Sequence, residues 1–159
     1  MKGTVLAVCI SERKGTRKHP VNEISLKENY GIIGDAHAVD AHAVDAHTGN
    51  IHNKYRHRQV SLLADESVDK MRRKGITLNA GDFAENILTK GIDLISLPIG
   101  TRMIIGEAEL EVTQIGKECH NDCEIKRLTG RCVMPTEGIF TVVIKGGKIR
   151  PGDSIEIKE

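Results

Sequence analysis

The chain has no tryptophan, only two tyrosines and two phenylalanines, and no long apolar run. With so few aromatic faces on which bases could stack, a platform for single-stranded nucleic acid is disfavoured. No stretch approaches the ~18 to 20 uninterrupted apolar residues of a membrane-spanning helix, so no span is expected. Charge of one sign is lacking too: 23 basic and 22 acidic side chains leave a formal +1, and nothing drives the whole molecule toward a polyanion or an anionic membrane. Any anion site must be local. The segment MKGTVLAVCISERKGT carries an early lysine, but its apolar residues alternate with small ones and are cut by Ser11, Glu12 and Arg13. It reads as a strand and not as a signal peptide. A soluble, cytoplasmic protein is expected, with neither nucleic acid nor membrane as partner.

At 159 residues the chain is expected to form one domain, 1–159, large enough to bury a core without staples. Its cysteines are few but crowded: Cys119, Cys123 and Cys132 fall within fourteen residues, with Lys117 and His120 beside the first. In a reducing compartment such a cluster suits free, catalytic or metal-bound thiols better than disulfides. A lysine or protonated histidine nearby lowers a cysteine pKa and raises its thiolate fraction, the form that acts as nucleophile, sulfur carrier or metal ligand. The bland alternative is three small buried hydrophobes. As a zinc site, C-H-x2-C-x8-C has enough ligand atoms but lacks the paired short spacings of a ribbon or finger. A [4Fe-4S] cluster would need Cys9, which sits in a strand whose alternation buries it.

Apolar alternation predicts strands over Thr4 to Ser11, Val21 to Leu26 and Gln59 to Leu63. From Asp65 to Lys74, Val68 and Met71 lie at helical spacing, acids lead, basic residues close the last turn and Gly75 follows, which predicts a short helix. Further strands are expected over Phe83 to Leu88, Arg102 to Ile105, Glu107 to Thr113, Ile139 to Ile144 and Ser154 to Ile157, with the last two flanking a turn-rich GGKIRPGD. This pattern is mainly β, a small closed or partly open barrel with one or two short helices. The polar run from Asn121 to Pro135 reads as a loop carrying cysteines.

An insertion at about 36–56 repeats AVDAH in tandem, and His37, His42, His47, His52 and His57 recur every five residues. A step of five turns about 140° on a helix and alternates faces on a strand, so no regular element aligns the five rings. Gathering two or three of them around Zn²⁺, Ni²⁺ or Cu²⁺ would cost the ordering of many residues at about 1 to 2 kcal/mol each. A duplicated surface insertion is the simpler reading.

Three segments offer groups for an anion or a heterocycle edge: Lys14, Arg17 and Lys18 in KGTRK; Arg56, His57 and Arg58; and Glu85 with Asn86 in FAENIL. Taken singly, each reads as an ordinary polar turn.

Several spaced motifs point further. GIIGDAH, HRQVSLL, GDFAENILTKGIDL, LPIGTRMIIGEAELEVTQIGKEC, MPTEGIF and GGKIRPGD, in that order, resemble the MOSC domain, named for the C-terminal domain of molybdenum cofactor sulfurases. The resemblance spans nearly the whole chain outside the histidine-rich insertion and points to a small stand-alone subgroup. It implies a β-barrel and binding of the molybdenum cofactor (molybdopterin). It implies one cysteine acting as molybdenum ligand or sulfur carrier, and the matching position, five residues after VTQ, is Cys119. Lys117 and His120 would tune that thiol. The resemblance implies cofactor contacts from Arg58 and Asn86, with Lys14, Lys18 and His57 beside them, while Glu85 and Glu137 organise turns.

The expected role is cofactor sulfuration, maturation or delivery. Partners would be enzymes of cofactor biosynthesis, recipient molybdoenzymes or a cysteine desulfurase. Two alternatives stand beside it: a cofactor-dependent reductase of N-hydroxylated compounds fed by an external electron donor, and a non-enzymatic zinc or nickel binder. Pyridoxal phosphate is not expected, because the chain has no desulfurase-sized region.

Overall fold

The computed structural model describes residues 2–13, 16–38, 57–116 and 137–158. Its elements in chain order are β1 (Lys2–Ile10), β2 (His19–Val21), β3 (Ile24–Lys27), β4 (Gly31–Ile32), β5 (Val60–Ala64), α1 (Asp65–Arg72), β6 (Ile87–Lys90), a 3-10 turn (Leu94–Ser96), β7 (Arg102–Ile105), β8 (Ala108–Ile115), β9 (Ile139–Lys145), β10 (Gly147–Ile149) and β11 (Ser154–Lys158).

Seven strands run in the order β11-β7-β8-β9-β5-β6-β1, and β1 pairs back with β11 to close a barrel. Strand β1 is the seam. One edge pairs with β6 from Thr4 to Val8. The other is shared between β11, over Lys2 to Thr4, and β2, over Val8 to Ile10. A register shift between Val5 and Ala7 accompanies this change of partner and supplies the extra bend a closing strand needs. Strands β3, β4 and β10 form a separate three-stranded sheet.

Alternation puts Val5, Leu62, Ile87, Leu110, Val112 and Ile139 into one interior cluster. The outward residues Leu63, Leu88 and Phe140 pack instead with Val68 and Met71 of α1 and with Leu78 and Phe83. An isolated helix of eight residues is marginal in water; α1 persists because this second cluster buries its apolar side. The helix also belongs to the crossover joining β5 to β6, which pair in parallel and therefore cannot be joined by a tight hairpin.

The mainly β barrel expected from the sequence is present, with one α-helix among the described residues. The structure corrects three details. The expected strand Val21 to Leu26 is two, because the chain leaves β1 after Val21 and joins the small sheet at Ile24. The expected strand from Phe83 starts only at Ile87, since Ala84 adopts a left-handed φ of 61° that no ladder accommodates. The GGKIRPGD segment contains β10, hydrogen-bonded to β3 through Gly147↔Leu26 and Ile149↔Ile24. A further strand, Gly31–Ile32, is too short for alternation to mark.

Among the described residues, the hydroxyl of Thr89, fully buried on β6, has no hydrogen-bond partner. An isosteric methyl there removes an unmet desolvation cost. Thr89→Val is expected to leave stability unchanged or raise it by about 1 kcal/mol in urea unfolding, whereas a loss beyond about 1 kcal/mol would show that the hydroxyl has a partner.

Candidate functional site

Two groups of polar residues stand out, and they differ in burial. The first is built around GDFAEN. The Asn86 amide is wholly buried: its oxygen accepts from the Ser61 backbone N–H (3.0 Å) and hydroxyl (3.1 Å), and its nitrogen donates to the Cys9 carbonyl (3.1 Å). It ties β1, β5 and the start of β6 together. Glu85, 1% exposed, accepts from the backbone N–H of Gly81 (2.9 Å) and Phe83 (3.2 Å) and so shapes the turn before β6. Burial pushes its carboxyl up to about 7, against the pull of those hydrogen bonds. Gly81 is held against Lys18: a Cβ on it, at φ 89°, would come within 2.1 Å of the Lys18 carbonyl oxygen, so only glycine fits.

Lys18 is equally buried. Its ammonium donates to Asp35 Oδ1 (2.7 Å) and to the Ser11 hydroxyl (3.2 Å), and Asp35 also accepts from the backbone N–H of Ser11 and His37. Burial alone would raise the Asp35 pKa, but the contacts from His37 and Lys18 outweigh it and hold the carboxyl well below the usual range. Cys9, in the same region, is a poor thiolate: burial pushes it up to about 12, Glu85 adds to the effect and Lys18 opposes it. It is core, as its place in β1 indicated. Lys18 and Asn86, expected as cofactor contacts, are each buried and hydrogen-bonded within the protein.

The second group lies at the end of β8. His57 Nε2 (2.7 Å) and Arg58 Nε (2.9 Å) both meet the Gln114 side-chain oxygen, and the Gln114 amide nitrogen donates to the Gly116 carbonyl (2.6 Å). The Thr113 hydroxyl donates to the His57 carbonyl. A register shift in β8 between Val112 and Gln114 places Gln114 opposite Phe140. That cross-strand pair holds Arg58 from two sides, Gln114 at the edge of the guanidinium and the Phe140 ring beneath it, 5.5 Å from its centre. A guanidinium fixed in this way is organised to meet an anion.

Gly116 bonds Gly138 through its N–H (2.7 Å), so the chain leaves β8 and returns toward β9 at adjacent points. Lys117, Cys119, His120, Cys123 and Cys132 fall between them, outside the described residues, as do Lys14 and most of the histidine-rich insertion. At the returning end Glu137 accepts from Ser67 (3.0 Å) and Lys70 (2.6 Å) beside a cavity of about 400 Å³ that also borders Ile92, Leu94 and Ile95. No group of three or more metal-ligating side chains occurs among the described residues. No helix among them is long and apolar enough to cross a membrane.

Of the expected contacts, the structure brings Arg58 and His57 together beside the root of the cysteine segment, and it buries Lys18 and Asn86. Gln114 and Phe140, which orient Arg58, were not singled out from the sequence. The contact between positions 58 and 114 spans 56 residues, and neither residue type announces it.

A small closed barrel with a framed guanidinium at the root of a cysteine-rich segment thus defines the class of domain. The chain belongs to the MOSC domain family, whose model matches residues 37–156. Among solved structures it is similar to the YuaD protein of Bacillus subtilis, at 20% identity over 99% of this chain and 96% of that one, with a TM-score of 0.76. It is also similar to YiiM of Geobacillus stearothermophilus (17% identity, 99% and 75% covered, TM-score 0.68) and YiiM of Escherichia coli (18%, 100% and 70%, TM-score 0.65). At these identities the likeness is one of fold. No curated protein sequence matches the chain.

The Glu85 carboxyl makes a pH prediction. Its folded pKa, about 7, lies above its ordinary value of 4.5, so the folded state binds this proton more tightly than the unfolded chain. The resulting stability is full below pH 4.5 and is lost as pH rises through about 7, by roughly 3 kcal/mol at most. Urea midpoints should fall across this window in the wild type and much less in Glu85→Gln; equal slopes would assign the loss to another group. Asp35→Asn, which removes the carboxylate paired with the buried Lys18 ammonium, is expected to cost about 3 kcal/mol or more at pH 7. A loss under about 1 kcal/mol would mean that Lys18 deprotonates or escapes to water.

Proposed function

We propose that this protein binds the molybdenum cofactor or its precursor and acts in its sulfuration, maturation or delivery, with Cys119 as sulfur carrier or metal ligand. The observation that carries the reading is the framed Arg58: a guanidinium held by Gln114 and Phe140 at the point where the chain runs into Cys119. The donor set fits the group. The cofactor carries a phosphate, which a fixed guanidinium meets with charge-assisted hydrogen bonds, and its metal is soft enough for a thiolate. When bound, the cofactor supplies a metal centre that accepts sulfur ligation.

The protein's share is to hold and orient. Arg58 takes the anionic end, His57 lies beside it on the same glutamine oxygen, and the Asn86 and Lys18 frameworks fix the strands from which these residues project. Lys14 remains a candidate second cation. Lys117 and His120, next to Cys119 in sequence, supply positive charge that favours its thiolate. As a carrier, the Cys119 thiolate would attack the outer sulfur of a persulfide on a donor of the cysteine desulfurase class, freeing the donor's thiolate, and an external thiol reductant would supply the two electrons that release the carried sulfur as sulfide and restore the Cys119 thiolate. Enzymes of cofactor assembly, or recipient molybdoenzymes, are the corresponding partners, in the cytoplasm.

Arg58→Ala is expected to weaken binding of the molybdenum cofactor by about 1.5 to 3 kcal/mol in a direct titration, with the fold kept. Unchanged affinity would remove Arg58 from the site.

A further inference from the structure

The Gln114 amide has one orientation that serves both of its ends. Its nitrogen donates to the Gly116 carbonyl (2.6 Å), which leaves the oxygen facing His57 Nε2 (2.7 Å) and Arg58 Nε (2.9 Å). An amide oxygen only accepts, so Nε2 of His57 carries a proton. In the neutral ring the lone pair then lies on Nδ1, because the hydrogen bond made by one ring nitrogen sets the role of the other. Among the described residues nothing bonds to Nδ1. The Thr113 hydroxyl fixes the backbone at the base of the ring by donating to the His57 carbonyl. The register shift before Gln114 aims its amide at residues 57 and 58, which is how a bulge commonly re-aims a group near a site. A donor-only guanidinium and an imidazole with an open acceptor thus hang from one oxygen.

We propose that His57 is a specificity-determining residue: with donors from Arg58 and an acceptor at Nδ1, the pair selects an oxyanion that keeps a hydroxyl, such as hydrogen phosphate, over a fully ionised one, such as sulfate. The proposal rests on reading Arg58 as an anion contact. A hydroxyl-bearing oxyanion gives its proton to Nδ1 in a hydrogen bond while its charged oxygens meet the guanidinium. Sulfate has no proton to give, so the Nδ1 lone pair faces an oxygen lone pair, and the unmet acceptor lowers affinity. The two ions are both tetrahedral and similar in size, so the difference between them isolates the acceptor.

The test titrates the full chain with inorganic phosphate and with sulfate at pH 8 and fixed ionic strength, followed by NMR. The ¹⁵N shifts of the His57 ring report which nitrogen holds the proton. In the wild type the proton is expected on Nε2, with phosphate bound about tenfold more tightly than sulfate. His57→Phe, which has no acceptor, should bring that ratio close to one. Gln114→Met removes the amide that fixes the ring, and it should lower the ratio and mix the two tautomers. A merely structural role for Gln114 would change the melting temperature without moving the ring proton. Equal affinities in the wild type, a proton on Nδ1, or an unchanged ratio in His57→Phe would overturn the proposal. Arg58→Ala separates it from the reading beneath it. Loss of both anions in that variant, with equal affinities in the wild type, would keep Arg58 as the anion contact and sink the role of His57. A wild type that binds neither anion would contradict both.

Discussion

The structure depends on β1 pairing along both edges. Strand β6 takes one side, and the other is divided between β11, which closes the barrel, and β2, which begins the excursion toward the small sheet. Closure leaves the seven strands without a free edge and gives the interior cluster a complete wall. It also fixes β5 and β6 side by side in parallel, and that pairing calls for the crossover holding α1 and the GDFAEN turn. The outer cluster beneath α1 includes Phe140, the residue that supports Arg58. The candidate site is thus built on the back of the same sheet that the core requires.

Polar groups divide by burial. Lys18 with Asp35, Asn86 with Ser61 and Glu85 with its turn are all buried and bonded inside the protein. Such pairs are high-stakes, since losing one partner leaves the other unsolvated, and they lock the turns entering β5 and β6. His57 and Arg58 are only half-buried. The two groups differ in burial, although all are polar residues in short loops and look alike in the sequence.

Much of the barrel was legible because its long strands alternate cleanly: the strands expected over Glu107 to Thr113 and Ile139 to Ile144 are β8 and β9 to within two residues at each end. Helix α1 was legible from Val68, Met71 and the glycine stop. What failed was short or strained. Gly31–Ile32 and Gly147–Ile149 have too few residues to show a period, and Phe83 and Ala84 look like a strand until the Glu85 carboxylate, which captures two backbone N–H groups, bends them away from the ladder. For the site, residue type named Arg58 and His57, but nothing local shows that Asn86 bonds Ser61 and the Cys9 carbonyl or that Gln114 reaches across 56 residues to orient the arginine. Such facts arise from tertiary proximity, which one sequence does not encode position by position.

The central proposal is that cofactor or sulfur chemistry resides at Cys119. Native mass spectrometry of protein made in a host that produces the molybdenum cofactor, wild type against Cys119→Ser, tests it most directly. The account predicts a cofactor-sized mass, or the mass of one added sulfur, present in the wild type and lost in the variant. Neither adduct in the wild type, or an adduct that persists unchanged in Cys119→Ser, would contradict it.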